Sequence, residues 1–275
     1  MPPPARDFRP CRARRGFTLV ELLIVIGIIA VLAGLLLTVR SRTTDKAAQV
    51  QCMNNLRQIG MAMTMYAQDN EQLFPFTSPL DQPERPADWL HWRDSGKGLQ
   101  PNQAIDNSAL ARYLKAKGPT LQAMFRCPSD DWENHALNYA YSYSFNYLLS
   151  SDRGRSPEGA LPRLTAISRP SEKCLVVEEN ERTINDGLWA PGNYTDAGRA
   201  SWTVQWDWLS VRHDTRKAEF DTPVVGTLPQ QKKRGCVAFV DGHADYVSRA
   251  YAHDPKNLLP NNEGTGRVPA PPPGG

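Results

Sequence analysis

The chain has 275 residues, of which 40% are hydrophobic and 22% charged, and it carries a formal net charge of +3. This length has room for one membrane span and one modest globular domain, or two. Nucleic acid is not an expected partner, because five arginines lie within the first fifteen residues and no later basic patch is interleaved with aromatic residues.

The N-terminal region pairs a basic leader with an apolar run. Residues 1–16 hold four prolines and no apolar periodicity, so we expect an unstructured leader. From Leu22 to Leu37 almost every residue is Leu, Ile, Val, Ala or Gly, and a helix that is apolar on all sides belongs in a bilayer. We predict a transmembrane segment over residues 17–39, with the leader cytoplasmic and everything after Val39 exported.

Glu21 is the one residue that does not suit this apolar run. A lone carboxylate facing lipid is unfavourable by about 2.5–3.5 kcal/mol on insertion scales, so Glu21 needs a partner. A cut between Gly16 and Phe17 would create an α-ammonium one helical turn away, and this group could pair with the carboxylate of a neighbouring copy.

These residues resemble a known signal. A basic leader that ends in Gly16, followed by Phe17-Thr18-Leu19-Val20-Glu21 and a hydrophobic run, resembles the class III signal of type IV prepilins and type II secretion pseudopilins. The resemblance implies that a prepilin peptidase cleaves after Gly16 and N-methylates Phe17, and that Glu21 serves assembly. The implied partners are this peptidase, the inner membrane and other pilin or pseudopilin subunits. The implied product is an extracytoplasmic filament, with the head first exported to the periplasm.

Three other interpretations of the same stretch stay open. A secretory signal could use Val31-Leu32-Ala33 as its cleavage site, and a twin-arginine signal could use Arg14-Arg15. A carboxylate inside the hydrophobic region disfavours both. A plain membrane anchor explains the hydrophobicity and leaves Gly16, Phe17 and Glu21 without a role.

Residues 40–72 predict an amphipathic continuation of the same helix. No proline occurs between Val39 and Phe74, and Leu73-Phe74-Pro75 should end the helix near Asn70. Apolar residues recur at spacings of three and four and so share one face. These residues are Val50, Met53, Leu56, Ile59, Met63 and Tyr66.

Residues 73–259 predict an exported α+β head with a small antiparallel sheet, so the expected fold is pilin-like, and residues 260–275 predict a disordered tail rich in Pro and Gly. A short helix is expected from Ser108 to Leu114, with Gly118-Pro119 as its stop. Strands are expected at 139–145 and 174–178. Asp241-Gly242 lies between two apolar runs and predicts a hairpin with a type I′ turn.

The segment from Gly187 to Leu209 contains four of the seven tryptophans. Aromatic side chains at this density either fill a core or subunit contact, or form an exposed stacking platform for a ligand. The second interpretation supports an alternative function, in which the chain is a membrane-tethered module that binds a surface polysaccharide.

Five cysteines are present, and Cys11 would leave with the leader. The other four would lie in a compartment that permits disulfides, and none forms a Cys-x-x-Cys pair. Three pairings are open; Cys52 with Cys127 is favoured because both lie beside predicted junctions between helix and head.

A second resemblance involves four further segments. Arg212-His213, followed by Phe239-Val240-Asp241-Gly242-His243, resembles the processing-associated motif, His then nine residues then Asp-Gly, of many prepilin-type proteins. The segments Cys52 to Gly60 and Cys127 to Asp130 resemble other parts of the same group. In this chain an added polar stretch separates His213 from Asp241-Gly242.

The residues around this motif include donors for a divalent metal: His213, Asp241, His243 and Asp245. The competing interpretation has Asp241 satisfying the turn backbone and His213 hydrogen-bonding to it. No other cofactor is expected. The chain has no recognisable catalytic motif, and the adjacent carboxylates Asp130-Asp131 and Glu178-Glu179 are expected to be solvated or in turns, so we predict a structural protein rather than an enzyme.

Overall fold

The computed structural model describes residues 17–77, 85, 87–92, 105–135, 139–151, 161–191, 193–194, 200–201, 207–214, 228 and 230–261, without the side chains at 35–43, 134, 193–194 and 200–201. The predicted leader and the predicted tail beyond residue 261 lie outside this part. The chain divides into two compact units, Met1–Thr44 and Asp45–Gly275.

Helix α1 spans Leu19–Asp69 and supplies residues to both units. In the first unit, its side chains from Leu19 to Gly34 are exposed. Within the described part of the chain, no helix combines the length and the apolar character that a membrane crossing requires. The end of the predicted transmembrane segment, residues 35–39, lies outside the described side chains.

The second part of α1 ends as the sequence predicts, because the amide of Asn70 turns back to the carbonyl of Ala67 and Pro75 follows. Leu56, Ile59 and Met63 are fully buried, which confirms the predicted face at these positions. Val50 is 63% exposed, so its assignment to that face was wrong. Nine residues at 100° each place Val50 about half a turn from Ile59.

Three short helices follow: α2 at Ala111–Leu114, α3 at Gly118–Met124 and α4 at Arg249–Ala252. The predicted helix over 108–114 is confirmed only in its last turn. Gly118-Pro119 begins α3 instead of merely stopping α2. Proline suits the first turn of a helix, where its missing N–H has no intrahelical partner to lose.

The head contains a five-stranded sheet. In chain order the strands are β1 Tyr143–Asn146, β2 Cys174–Glu178, β3 Leu188–Trp189, β4 Asn193–Tyr194, β5 Ala200–Ser201, β6 Arg234–Phe239 and β7 Ala244–Ser248. The order in the sheet is β3-β1-β2-β6-β7, while β4 and β5 form a separate pair.

The pilin-like α+β fold class is confirmed, but the sheet is mixed rather than wholly antiparallel. β1 pairs with β3 in parallel, whereas its other neighbour, β2, is antiparallel to it. The chain passes from β1 to β2 and then returns to the far side of β1, which aligns β3 with β1. This return depends on tertiary packing and leaves no local signal in the sequence.

The predicted hairpin is β6 and β7, joined by residues 240–243, of which 240–242 form the loop because the Phe239 N–H donates to the His243 carbonyl at 2.8 Å. The amide of Gly242 donates to the carbonyl of Phe239 at 2.9 Å, and Gly242 has φ of 88°. Asp241 is absent from the described residues with positive φ, so the predicted type I′ turn was wrong. The geometry is that of a three-residue turn closed by glycine.

The core forms where the second part of α1 packs on the sheet. Cys52, Leu56 and Ile59 share one buried cluster with Tyr143, Val176, Cys236 and Ala238. β1 and β2 are buried along their whole length, so the strand prediction at 174–178 is confirmed and its acidic end lies inside the protein. Trp189 and Trp208 are also buried, which confirms the core interpretation for these two. Trp202 and Trp206 lie outside the described residues.

Candidate functional site

The start of α1 has a reciprocal capping arrangement between Thr18 and Glu21. The backbone N–H and the hydroxyl of Thr18 donate to Glu21 Oε2 at 2.9 and 2.7 Å, and the Glu21 N–H lies 3.2 Å from Thr18 Oγ1 as acceptor. This is a capping box, which satisfies two free N–H groups at a helix start. The Thr-x-x-Glu spacing in the sequence is its signal, and this cap was not among the predicted features.

Phe17 precedes this cap and is 74% exposed, while Gly16 lies outside the described residues. The carboxylate of Glu21 is thus not without a partner, since its own helix start supplies one. The predicted roles of Gly16, Phe17 and Glu21 in cleavage, methylation and assembly remain predictions.

A second site lies inside the head, where four potential metal ligands from distant parts of the chain meet. Cys52, Cys127, Glu178 and His213 are all buried, and one donor atom of each lies within 4.8 Å of the others. We call this set the Cys-His-Glu cluster. Cys52 Sγ is 3.2 Å from Glu178 Oε2, Cys127 Sγ is 3.2 Å from His213 Nε2, and His213 Nε2 is 3.4 Å from Glu178 Oε1.

Each ligand is placed by a different element. Cys52 lies on the buried face of α1, and Glu178 is the last residue of β2. Cys127 follows the C-terminus of α3, where its N–H donates to Ser142 Oγ at 2.8 Å. These three positions are therefore fixed by the packing of α1 and α3 against the sheet.

His213 is held by the segment 207–214, which runs beside the ends of β2 and β6. The N–H of Ser210 donates to the Glu178 carbonyl at 2.7 Å, and the N–H of Arg234 donates to Asp214 at 3.2 Å. A Cβ on Gly235 would lie 1.9 Å from the Ser210 carbonyl, so only glycine permits this approach. Residues 215–227 and 229 lie outside the described part, and the hydrogen bond between Asp214 and Arg234 joins the chain on either side of them.

A buried arginine supports the cluster from one side. Arg212 Nε is 3.2 Å from Glu178 Oε1, and Arg212 also pairs with Asp130, whose side chain is buried and 3.0 Å from His135 Nε2. On the other side the Tyr143 hydroxyl donates to Cys52 Sγ at 3.3 Å. The prediction of solvated or turn carboxylates was wrong for Glu178 and Glu179, which are buried. Asp130 does close a turn, because its N–H donates to the Cys127 carbonyl at 3.0 Å, but its side chain is buried.

The electrostatics follow from burial and from these partners. Burial alone would raise the pKa of Glu178, but Arg212 and His213 outweigh it and lower that pKa to about 2. Burial alone would lower the pKa of His213, but its contacts with Cys127 and Glu178 raise it to about 10. Burial raises the pKa of the Cys52 thiol, and contact with Cys52 followed by burial raises that of Cys127. Without a bound cation, the cluster thus holds two thiols, a carboxylate and an imidazolium.

The sequence prediction of a Cys52–Cys127 pair is right about proximity. However, all four described cysteines, Cys52, Cys127, Cys174 and Cys236, are free thiols, so the predicted disulfide is not formed. Cys236 also lies next to Cys52, so Cys52 has two cysteine neighbours in the fold, and their spacing in the sequence does not distinguish them.

The predicted association of His213 with Asp241 and His243 is not observed among the described residues. Asp241 instead accepts the N–H of His243 at 3.1 Å and contacts its ring, as a turn residue does. Gly242 lies against Met61 of α1. Asp241, His243 and Asp245 belong to no set of three or more potential ligands in the described part of the chain. His213 is the only member of the predicted metal set that lies in the observed cluster.

Cys52, Cys127 and His213 come from three of the four segments that carry the second resemblance, and they converge in space. Glu178 was missed as a ligand. Its signal is an acidic residue at the end of the short apolar strand 174–178, since a buried carboxylate requires a positive or hydrogen-bonding partner.

Comparison with protein families identifies the two parts of the chain. Residues 11–37 match the family model described as "Prokaryotic N-terminal methylation motif". With the helix and the α+β head, this motif indicates a protein of the type IV pilin or pseudopilin class. Residues 45–242 match the family described as "Protein of unknown function (DUF1559)", and the chain belongs to that family. No curated protein and no solved structure matches the chain.

Proposed function

We propose that this protein is a structural subunit of a type IV pilus-like or type II secretion pseudopilus filament, processed by prepilin peptidase between Gly16 and Phe17. The observation that carries the proposal is the methylation motif at residues 11–37, whose part from Leu19 onward belongs to a helix with exposed apolar side chains up to Gly34. Exposed apolar surface of this extent requires lipid or another protein to cover it.

In this proposal, residues 17–39 hold the newly made chain in the inner membrane, with the head in the periplasm. Assembly then exchanges lipid for the equivalent helices of neighbouring subunits. Both environments are apolar, so the same side chains serve in each. The function is structural, and its partners are the peptidase and other subunits.

Glu21 has a specific place in this scheme. Its Oε2 caps its own helix through Thr18, whereas Oε1 accepts no hydrogen bond from the described residues. After cleavage, the methylated amine of Phe17 on a neighbouring subunit can pair with the carboxylate through Oε1. An ion pair in an apolar surrounding is strong enough to fix the position of the incoming subunit.

The test separates assembly from capping. Glu21→Ala removes both interactions, whereas Thr18→Val removes the hydroxyl of the capping box and keeps the acid. We expect both variants to be cleaved and methylated, as mass spectrometry of the mature N-terminus will report. Filament yield in the sheared fraction should fall about tenfold or more for Glu21→Ala, because the incoming subunit loses its ion pair. Thr18→Val should lose only about 1 kcal/mol of helix stability and keep most filaments.

Normal filaments from Glu21→Ala would contradict the assembly role. A mature protein that still carries residues 1–16, under conditions where the peptidase is active, would contradict the proposed function as a whole. The alternative of a polysaccharide-binding module receives no support from Trp189 and Trp208, because both are buried.

A further inference from the structure

The proposed filament role assigns no task to the Cys-His-Glu cluster, and the donor set of the cluster indicates a separate property. We propose that Cys52, Cys127, Glu178 and His213 form a structural zinc site in the head. The proposal does not rest on the filament role, because all four residues lie in the unit Asp45–Gly275.

The distances between the ligand atoms are the first support for a zinc site. Zinc bonds of about 2.3 Å to sulfur and 2.0–2.2 Å to nitrogen or oxygen, at tetrahedral angles, place neighbouring ligand atoms about 3.3–3.8 Å apart. Three separations are close to these values: 3.2 Å from Cys52 Sγ to Glu178 Oε2, 3.2 Å from Cys127 Sγ to His213 Nε2 and 3.4 Å from His213 Nε2 to Glu178 Oε1, although the two contacts of Glu178 use different oxygens. With one donor atom per residue all separations are within 4.8 Å, so the ligands would close by up to about 1 Å around the ion.

The donor types and their burial also favour zinc. Two thiolates and an imidazole are soft or intermediate donors that favour zinc over magnesium or calcium, which prefer oxygen ligands. All four ligands are buried, so no position is open to water, as is typical of structural rather than catalytic sites.

The charges around the cluster are also compatible with a zinc ion. Zinc with two thiolates, one carboxylate and a neutral imidazole has a net charge of about −1. Arg212 lies 3.2 Å from Glu178 and supplies a positive charge in the same buried region, which it shares with the buried carboxylate of Asp130. Tyr143 donates to Cys52 Sγ and thereby supports it as a thiolate. Ligands of bound zinc commonly have such outer partners.

The carboxylate of Glu178 also has room for a stronger partner. Its Oε1 is buried and has Arg212 Nε and His213 Nε2 as ion-pair partners at 3.2 and 3.4 Å, but no well-formed hydrogen bond from the described residues. A bound cation would give this oxygen a direct bond. On binding, each thiol loses its proton to solvent, as does the imidazolium of His213, so no oxidant or reductant is involved.

Zinc at this position would join four segments that are far apart in the chain. It would link the buried face of α1 to the end of β2, to the turn after α3 and to the segment 207–214. Such a site contributes directly to folding, because the unfolded chain does not preassemble it. The competing state is a Cys52–Cys127 disulfide, which an exported protein can form and which cannot supply two thiolates.

The experiment uses the full-length chain in detergent, reduced and freed of metal. Cobalt(II) serves as the optical probe, because tetrahedral thiolate coordination gives intense d–d bands and a sulfur-to-cobalt charge-transfer band. We expect saturation at one cobalt per chain and complete displacement by zinc. Cys52→Ser, Cys127→Ser and His213→Gln should each weaken binding by more than the roughly 10–100-fold that a lost outer partner costs.

Cys174→Ser is the matched control, since Cys174 is also a fully buried free thiol but lies outside the cluster. This variant should bind cobalt as tightly as the unchanged chain. A ligand variant that fails to fold does not stop the test, because metal content and the charge-transfer band of the unchanged chain decide by themselves.

Three results would overturn the proposal. The first is less than stoichiometric metal, or no charge-transfer band, in the reduced full-length chain. The second is unimpaired binding by the folded Cys52→Ser and Cys127→Ser variants. The third is a quantitative Cys52–Cys127 disulfide in chain isolated from cells without reductant, with its thiols alkylated at once and mapped by mass spectrometry.

Discussion

His253 shows how one buried side chain makes stability depend on pH. Its Nε2 accepts the N–H of Leu209 at 3.1 Å, and the ring packs edge-on against Trp189. Burial, followed by the nearby Arg249, lowers its pKa from 6.5 to about 3. The unfolded chain therefore binds a proton between these values while the folded chain does not. The stabilisation is fully present above pH 6.5 and is lost as the pH falls.

We expect the free energy of unfolding to fall by about 2–3 kcal/mol between pH 6.5 and 4.5 through this residue alone. His253→Gln can still accept the Leu209 N–H and does not titrate, so its stability should depend less on pH by that amount. Urea unfolding of both proteins at several pH values measures the difference. Identical pH profiles would show that His253 is charged in the folded chain.

The residues of the Cys-His-Glu cluster show which parts of the site could be predicted from the sequence. Cys52, Cys127 and His213 were singled out individually, because cysteine and histidine beside conspicuous motifs attract attention. Their convergence was not predictable, since consecutive members of the cluster are 35 to 75 residues apart in the sequence and only tertiary packing brings them together. Glu178 was misjudged because adjacent carboxylates usually face water, and its buried partner Arg212 is distant in sequence.

Among the elements, the β6–β7 turn and α1 illustrate a contact that depends on glycine. Gly242 has φ of 88°, and a Cβ there would lie 3.4 Å from the side chain of Met61. A Cβ on Gly60 would lie 3.3 Å from Ala238. Thr64 of α1 also donates to the Val240 carbonyl at 3.2 Å. The Asp-Gly pair therefore shapes the turn and lets it lie close against the helix.

We expect Gly242→Ala to lower the free energy of unfolding by about 1–2 kcal/mol, because a side chain disfavours positive φ. Gly242→Asn should cost less, since asparagine tolerates this region better. Gly27→Ala is the control, because Gly27 is helical and has no atom within 4 Å of an added Cβ. Denaturant unfolding of the head checks the order of stability. Equal stability of Gly242→Ala and the unchanged chain would contradict it.

Elements with a strong local signal were predicted well. The end of α1 follows from Pro75, β2 from a short apolar run, and the hairpin from two apolar runs around Asp241-Gly242. Predictions failed where the decision was not local. The parallel pairing of β3 depends on a return across the sheet, and the type of turn depends on how Gly242 meets α1. Val50 is exposed because the spacings of three and four, followed along the helix, gradually leave the buried face, so that Val50 lies half a turn from Ile59.

For the whole molecule, the division into two units separates two kinds of surface. The head, from Asp45 onward, buries its apolar residues in its own core. The helix before Thr44 exposes Leu, Ile and Val side chains at every described position that carries them. Such a chain can be stable in a cell only if lipid or other subunits cover the first unit. This requirement connects the methylation motif to the proposed location and assembly.

The same reasoning predicts that one charge will release the chain from the membrane. Ile28 lies in the middle of the apolar run and is 56% exposed, and a lysine at a membrane-helix centre costs about 2.5–3.5 kcal/mol. We expect Ile28→Lys to lower sharply the fraction of protein retained in membranes after alkaline extraction. Val50→Lys is the matched control, since Val50 is 63% exposed on the same helix but belongs to the head unit. It should stay with the membrane like the unchanged chain. Equal retention of both variants would mean that residues 17–39 do not anchor the protein.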